Sequence, residues 1–121
     1  MNKWQALDYF WNQFNIPAYD EGSVPDNAVM PYITYKASVN EFEKATPLYA
    51  SIWYKSTSWM EISLKADAIA EWINSHRLIK LDDDQYLYIA QGDPFAQRMQ
   101  DENSTVKRIY INIMAEYFSR K

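Results

Sequence analysis

Apolar residues recur along this chain at two spacings, and the changes between them predict the order of elements. At the N-terminus Trp4, Leu7, Trp11 and Phe14 fall three and four apart. This is one stripe of a helix expected over Asn2 to Phe14, with Tyr9 and Phe10 widening the stripe or leaving it. Asn2 suits the N-cap, and Pro17 helps to stop the helix. From Ala18 to Pro31 the turn formers Asp20, Glu21, Gly22, Pro25 and Asp26 predict a shaped loop. Period two takes over from Tyr32 to Val39. Ile33, Tyr35, Ala37 and Val39 fall on one face of the predicted strand, and Tyr32, Thr34, Lys36 and Ser38 on the other.

The polar link Asn40 to Pro47 leads to a second strand, Leu48 to Tyr54. It is expected to run antiparallel to the first, because the link is too short for a crossover helix. Ser58 and Glu61 have the spacing of a capping box. Trp59, Ile62, Ala66, Ile69 and Ile73 then follow at helical spacing to about Asn74, with Trp59 and Trp72 near the two ends. Leu78 to Leu81, a turn at Asp82 to Gln85 and Tyr86 to Ala90 predict a compact hairpin. After a polar stretch, Gln91 to Thr105, the final and longest strand is expected over Val106 to Phe118. It places Ile109, Ile111 and Ile113 on one face and Arg108, Tyr110 and Asn112 on the other. The sum is one α+β domain spanning 1–121, with an antiparallel or mixed β-sheet of about five strands and two helices on one face.

Composition changes what such a sheet is for. Ten Tyr, five Trp and five Phe stand among 121 residues, against one His, two Gly and no Cys. Alternation sends neighbouring rings of Tyr32-Ile33-Thr34-Tyr35 and Tyr49 to Tyr54 to opposite faces, so one core cannot cover them all; tyrosine and tryptophan are also the rings that protein interfaces favour. A net charge of -4 with scattered Lys and Arg disfavours a general nucleic-acid binder, which needs a basic patch to neutralise phosphates, and no sequence-specific nucleic acid is expected as a partner. No apolar run is long enough to span a bilayer, and the N-terminus lacks the apolar region and cleavage pattern of a signal peptide. The expected place of the product is the cytoplasmic side of the membrane, unless lysis releases it.

Candidate chemistry is sparse. Absence of Cys removes disulfides, thiolate metal sites and thiol nucleophiles. His76 follows the second helix, where a cation at the C-terminal end is favourable. Asp82-Asp83-Asp84 lacks the alternating ligands of a calcium loop and reads as a solvated turn. Ser56, Thr57 and Ser58 have no neighbouring base in the sequence, and Gly22 and Gly92 cannot build a phosphate-binding loop. A pair of catalytic carboxylates distant along the chain stays open as an alternative. No cofactor or metal is expected.

Three segments carry a resemblance. Phe14-Asn15-Ile16-Pro17-Ala18-Tyr19 leads to Val24-Pro25 and then to Met30-Pro31-Tyr32-Ile33-Thr34-Tyr35. The second segment runs from Ala50 to Trp59, and the third is Gly92-Asp93-Pro94-Phe95-Ala96-Gln97-Arg98-Met99. In order and spacing they resemble the small tail terminator, or tail completion (head-tail joining), proteins of long-tailed bacteriophages and prophages. The resemblance implies a tail-terminator-like α+β fold and a non-enzymatic role in virion assembly. Such proteins form a homo-hexameric ring on the head-proximal end of the tail tube, end its polymerisation and present a surface to the head. The implied partners are further copies of the chain, as a homo-hexamer when assembled with a monomer in isolation left open, the major tail tube protein and the head-tail connector protein. The implied location is the virion tail, and the bacterial host cytoplasm during assembly. A head-completion or neck adaptor on the portal side is the alternative within the virion; a small hydrolase or carbohydrate-binding module is the alternative outside it.

Candidate interface residues follow from the strand faces. Leu48, Ala50, Ile52 and Tyr54 offer one face of their strand to a core; of Tyr49 and Trp53 on the other face, with Tyr32 on the preceding strand, at least one is expected in an intersubunit contact, the alternative being burial beneath a helix. Ala18 to Met30, Asn40 to Thr46 and Gln91 to Thr105 are the connections expected to order or shift on assembly. In the third, Phe95 and Met99, beside Arg98, are apolar residues in a polar run, suited to a contact buried on assembly or, for Phe95, to pinning the loop on its own core.

Overall fold

A computed structural model describes residues 1–100 and 102–120. Two helices, α1 (Lys3–Trp11) and α2 (Met60–Ser75), pack on one face of a six-stranded sheet. The strands are β1 (Ala18–Asp20), β2 (Tyr32–Tyr35), β3 (Thr46–Lys55), β4 (Leu78–Lys80), β5 (Gln85–Met99) and β6 (Val106–Ser119). Their order in the sheet is β1-β2-β3-β6-β5-β4, with β1 parallel to β2 and every other pair antiparallel. This is an α+β fold with a mixed sheet. No helix among the described residues is long and apolar enough to cross a membrane.

Helix α1 starts as expected. The Asn2 side chain accepts the Gln5 backbone N–H at 2.8 Å, and the Gln5 side chain accepts the Asn2 N–H at 2.8 Å. Two of the N–H groups left over at a helix start are satisfied by this reciprocal pair. The helix ends at Trp11, short of Phe14. Its buried stripe is centred on Ala6, Leu7, Phe10 and Trp11, so Trp4, expected inside, is 55% exposed. Four positions spaced by three and four drift around a short helix, and burial of Phe10 and Trp11 sets which arc faces inward. Phe10 and Phe14 pack edge-to-face on Trp72 of α2, and Trp11 stacks on Tyr35 of β2. Lys65 of α2 donates to the Phe14 carbonyl at 2.6 Å, which ties the exit of α1 to α2.

Helix α2 buries Ile62, Ala66, Ile69 and Ile73 as the pattern predicts, but the capping box does not form. Trp59 occupies the N-cap with no side-chain cap bond. Ser58 Oγ instead accepts the Met60 N–H at 3.1 Å, in a tight turn that begins with the Ser58 N–H on Ser56 Oγ.

The sheet departs from expectation at three places. Ala18–Asp20, inside the predicted loop, adds to β2 as a short parallel edge strand, too brief to show alternation. β2 stops at Tyr35, although Ala37 and Val39 still pack against the core. The polar run expected as a loop from Gln91 is strand as far as Met99, so β5, not β6, is the longest strand and the total is six rather than about five. Asp101, within that expected loop, and Lys121, within the single domain expected over 1–121, lie outside the described residues. β5 reads as polar because its second half pairs with β6 on one side only and is exposed through most of its length.

Alternation on β3 and β6 decides where the core lies. Leu48, Ala50, Ile52 and Tyr54, with Ile109, Ile111, Ile113, Ala115 and Tyr117, are buried beneath the helices. Tyr117 donates to the Lys3 carbonyl at 3.0 Å, and the Lys3 ammonium lies 4.0 Å from the Phe42 ring centroid and 2.7 Å from the Asn40 carbonyl. The connection from Asn40 to Thr46 is thereby pinned to the start of α1.

Candidate interaction surface

With both helices on one side, the opposite face of the sheet is covered by no other helix or strand among the described residues. Pairing register builds it in rows. Tyr32 stands opposite Trp53, Trp53 opposite Arg108, and Arg108 opposite Met99, one row across β2, β3, β6 and β5. The next row is Thr34, Ser51, Tyr110 and Gln97. Tyr32, Tyr49 and Trp53 all lie on this helix-free face, half-buried among their neighbours.

The rings are held by local bonds. Trp53 Nε1–H donates to Thr34 Oγ1 at 2.9 Å, and the Arg108 guanidinium lies over the Trp53 ring, 4.8 Å from its centroid, with its Nε–H on Ser51 Oγ at 3.0 Å. A cation over an aromatic face gains from the ring's quadrupole, about 0.5–1 kcal/mol where exposed. Tyr49 and Tyr110 stack with centroids 5.3 Å apart, and Tyr19 meets Tyr32 edge-on. Tyr49 donates to Glu21 Oε1 at 3.3 Å, and Lys36 lies 3.9 Å from the same oxygen. Loss of solvent around the stacked rings pushes both phenols above the ordinary tyrosine range. The Glu21 carboxylate adds to the rise at Tyr49; at Tyr110 the Tyr49 phenol adds to it and Arg108 opposes it. The stacked pair thus stays neutral through the physiological range. At the far end of the sheet Tyr86 and Phe118 stack at 5.5 Å with the Arg120 guanidinium above Tyr86.

The trio expected in the third connection is not one patch. Phe95 packs against the core from a bulge in β5. Arg98, opposite Ile109, turns to the helix side, where it lies over the Trp59 ring and donates to Ser63 Oγ at 3.3 Å. Met99 alone stands in the row of Trp53 and Arg108. Arg108 and Tyr110 were legible as one face of the last strand, but nothing in the sequence singled them out until register set them beside Trp53 and Tyr49.

Elsewhere the chemistry is thin. His76 stacks on Trp72 at 4.7 Å, with Nδ1 3.2 Å from the Trp72 carbonyl, at the end of α2. A cleft of about 310 Å³ beside it is lined by Met1, Tyr9, Trp72, His76, Leu78, Ile79 and Lys80, and its lining holds no carboxylate. Asp82 bonds the N-terminal amine at 2.6 Å. Among the described residues no group of three or more His, Asp or Glu converges as a metal site would require. The chain matches no protein-family model and no curated protein.

Proposed function

We propose that this protein is a tail-terminator-like subunit of a long-tailed bacteriophage or prophage, working by stoichiometric binding rather than catalysis. The single observation that carries the reading from the structure is the helix-free sheet face, where Tyr32, Tyr49, Trp53 and Tyr110 share the surface with Arg108 and no helix or strand among the described residues lies above them. A face so rich in half-exposed rings is the composition that interfaces favour and that monomers rarely leave open. The ordered segments from Phe14 to Tyr35, Ala50 to Trp59 and Gly92 to Met99 supply the family reading, and the α+β sheet with helices on one side accommodates a tail-terminator-like fold.

In this reading copies of the chain close into a hexameric ring at the head-proximal end of the tail tube, in the host cytoplasm. Ring closure requires two complementary faces per subunit. One axial surface mates with the last ring of major tail tube protein and removes the site at which the next ring adds; the other meets the head-tail connector. Purified protein added to polymerising cognate tube protein should give capped tubes of uniform length. Tubes that keep extending with the protein bound would refute the reading. Alanine at Tyr32, Tyr49 and Trp53 in turn, with mass followed by light scattering, locates the contact: at least one folded variant should lose assembly or tube binding.

A further inference from the structure

On β6, one of the two middle strands, the helix-free face carries two charges, Arg108 and Glu116. Among the described residues neither has an ion-pair partner. The Arg108 Nε–H is engaged by Ser51, but no hydrogen bond there engages its Nη groups. The two side chains sit eight residues apart on one strand, roughly 26 Å at the rise of a β-strand, so they cannot meet within a chain. They are also symmetric about Asn112, four residues from each.

We propose that this face docks a second copy of the chain, sheet against sheet, about a two-fold axis crossing the strands at the level of Asn112. Such an axis reverses β6 and brings Arg108 of each copy onto Glu116 of the other, two ion pairs from one contact. Packed sheets lie about 10 Å apart, a gap that arginine and glutamate span together. Between the two pairs, Tyr49, opposite Asn112, meets its own counterpart, and Tyr110 meets Met114 of the second copy. The contact is isologous, so it closes as a dimer and does not propagate. Charge complementarity selects this occupant. A guanidinium fork desolvated at an interface needs a carboxylate, and an interface that strands it unpaired is strongly disfavoured. The inference does not depend on the terminator reading; if both hold, the dimer is the free form, which shields the aromatic face and opens on assembly.

Sedimentation velocity on the full chain over a hundredfold concentration range tests it. Wild type should show a monomer–dimer equilibrium. Arg108→Glu and Glu116→Arg should each raise the dimer Kd at least tenfold, and the double reversal should bring it back most of the way, since it rebuilds both pairs with the signs exchanged. Circular dichroism checks folding of each variant. Should Arg108→Glu fail to fold, Glu116→Gln removes the charge at a side chain with no hydrogen-bond partner among the described residues and should still raise Kd several-fold. A wild type monomeric throughout, single reversals that dimerise like wild type, or a double reversal no better than the singles would overturn the proposal. Hexamers insensitive to the reversals would overturn it and leave the terminator reading standing. A dimer restored by the double reversal, in protein that fails to cap tubes, would do the opposite.

Discussion

Gly92 lies so close to Asn112 that a Cβ at position 92 would stand 2.8 Å from both the Cβ and the carbonyl oxygen of Asn112. Register explains the approach. Gln91 pairs with Ile113 and Ala96 with Ile111, so Gly92 to Phe95 are accommodated opposite Asn112 alone. Asn112 Nδ2 donates to the Pro94 carbonyl at 3.1 Å and closes the bulge from the β6 side. The same bulge delivers Phe95 to the core and resets the alternation, so that Arg98 faces the helices and Met99 stands opposite Arg108.

Gly92→Ala should therefore destabilise the fold by about 1–3 kcal/mol, the usual cost of forcing extra atoms into a packed site. The atoms in the way belong to backbone and a Cβ, which yield less than the end of a flexible side chain. Chemical denaturation measures the change. A loss below half a kcal/mol would mean that the bulge relaxes freely.

The two tryptophans of α1 should separate sharply. Trp11 is 0% exposed and stacks on Tyr35, whereas Trp4 is 55% exposed. Trp11→Ala should cost about 3–5 kcal/mol. Trp4→Ala should stay within about 0.5 kcal/mol. Equal effects in thermal or urea unfolding would place the buried arc of α1 elsewhere.

Helix starts give a second contrast. Asn2→Ala removes the side-chain half of a reciprocal cap, the acceptor of the Gln5 N–H, and should cost about 1 kcal/mol. Ser58→Ala removes only the turn bond to Met60 and should cost less. Paired unfolding curves decide the order, and a larger loss at Ser58 would restore the capping box as the determinant of α2.

Alkaline stability depends on two core phenols. Burial pushes Tyr35 well above the ordinary range, helped by its 3.0 Å hydrogen bond to Asp8, and burial pushes Tyr117 up likewise. The folded state binds these protons more tightly than the unfolded chain. Stability is therefore fully present below the unfolded tyrosine pKa of about 10 and falls as pH rises above it. Tyr117→Phe should flatten the fall in denaturation midpoint between about pH 9 and 11.5. An unchanged slope would assign alkaline unfolding to other groups.

Periodicity in the sequence by itself determined both helices, β3, the β4–β5 hairpin and the two faces of β6, because a single buried face imposes its period on the residues that make it. The same rule separated Leu48, Ala50, Ile52 and Tyr54 from Tyr49 and Trp53. Which of those sets the helices would cover was a property of the assembled layers: α1 and α2 settle on the face with Ile109, Ile111 and Ile113, and the other face is left to the rings. Tertiary structure also decided where local pattern carries no period. The second half of β5 is polar and open on its outer side, and only hydrogen bonding to β6 makes it a strand. β1 is three residues long and exists because β2 offers it an edge. Arg108 gained Trp53, Ser51 and Met99 as neighbours through pairing between residues up to 57 positions apart, a relation that no local spacing encodes.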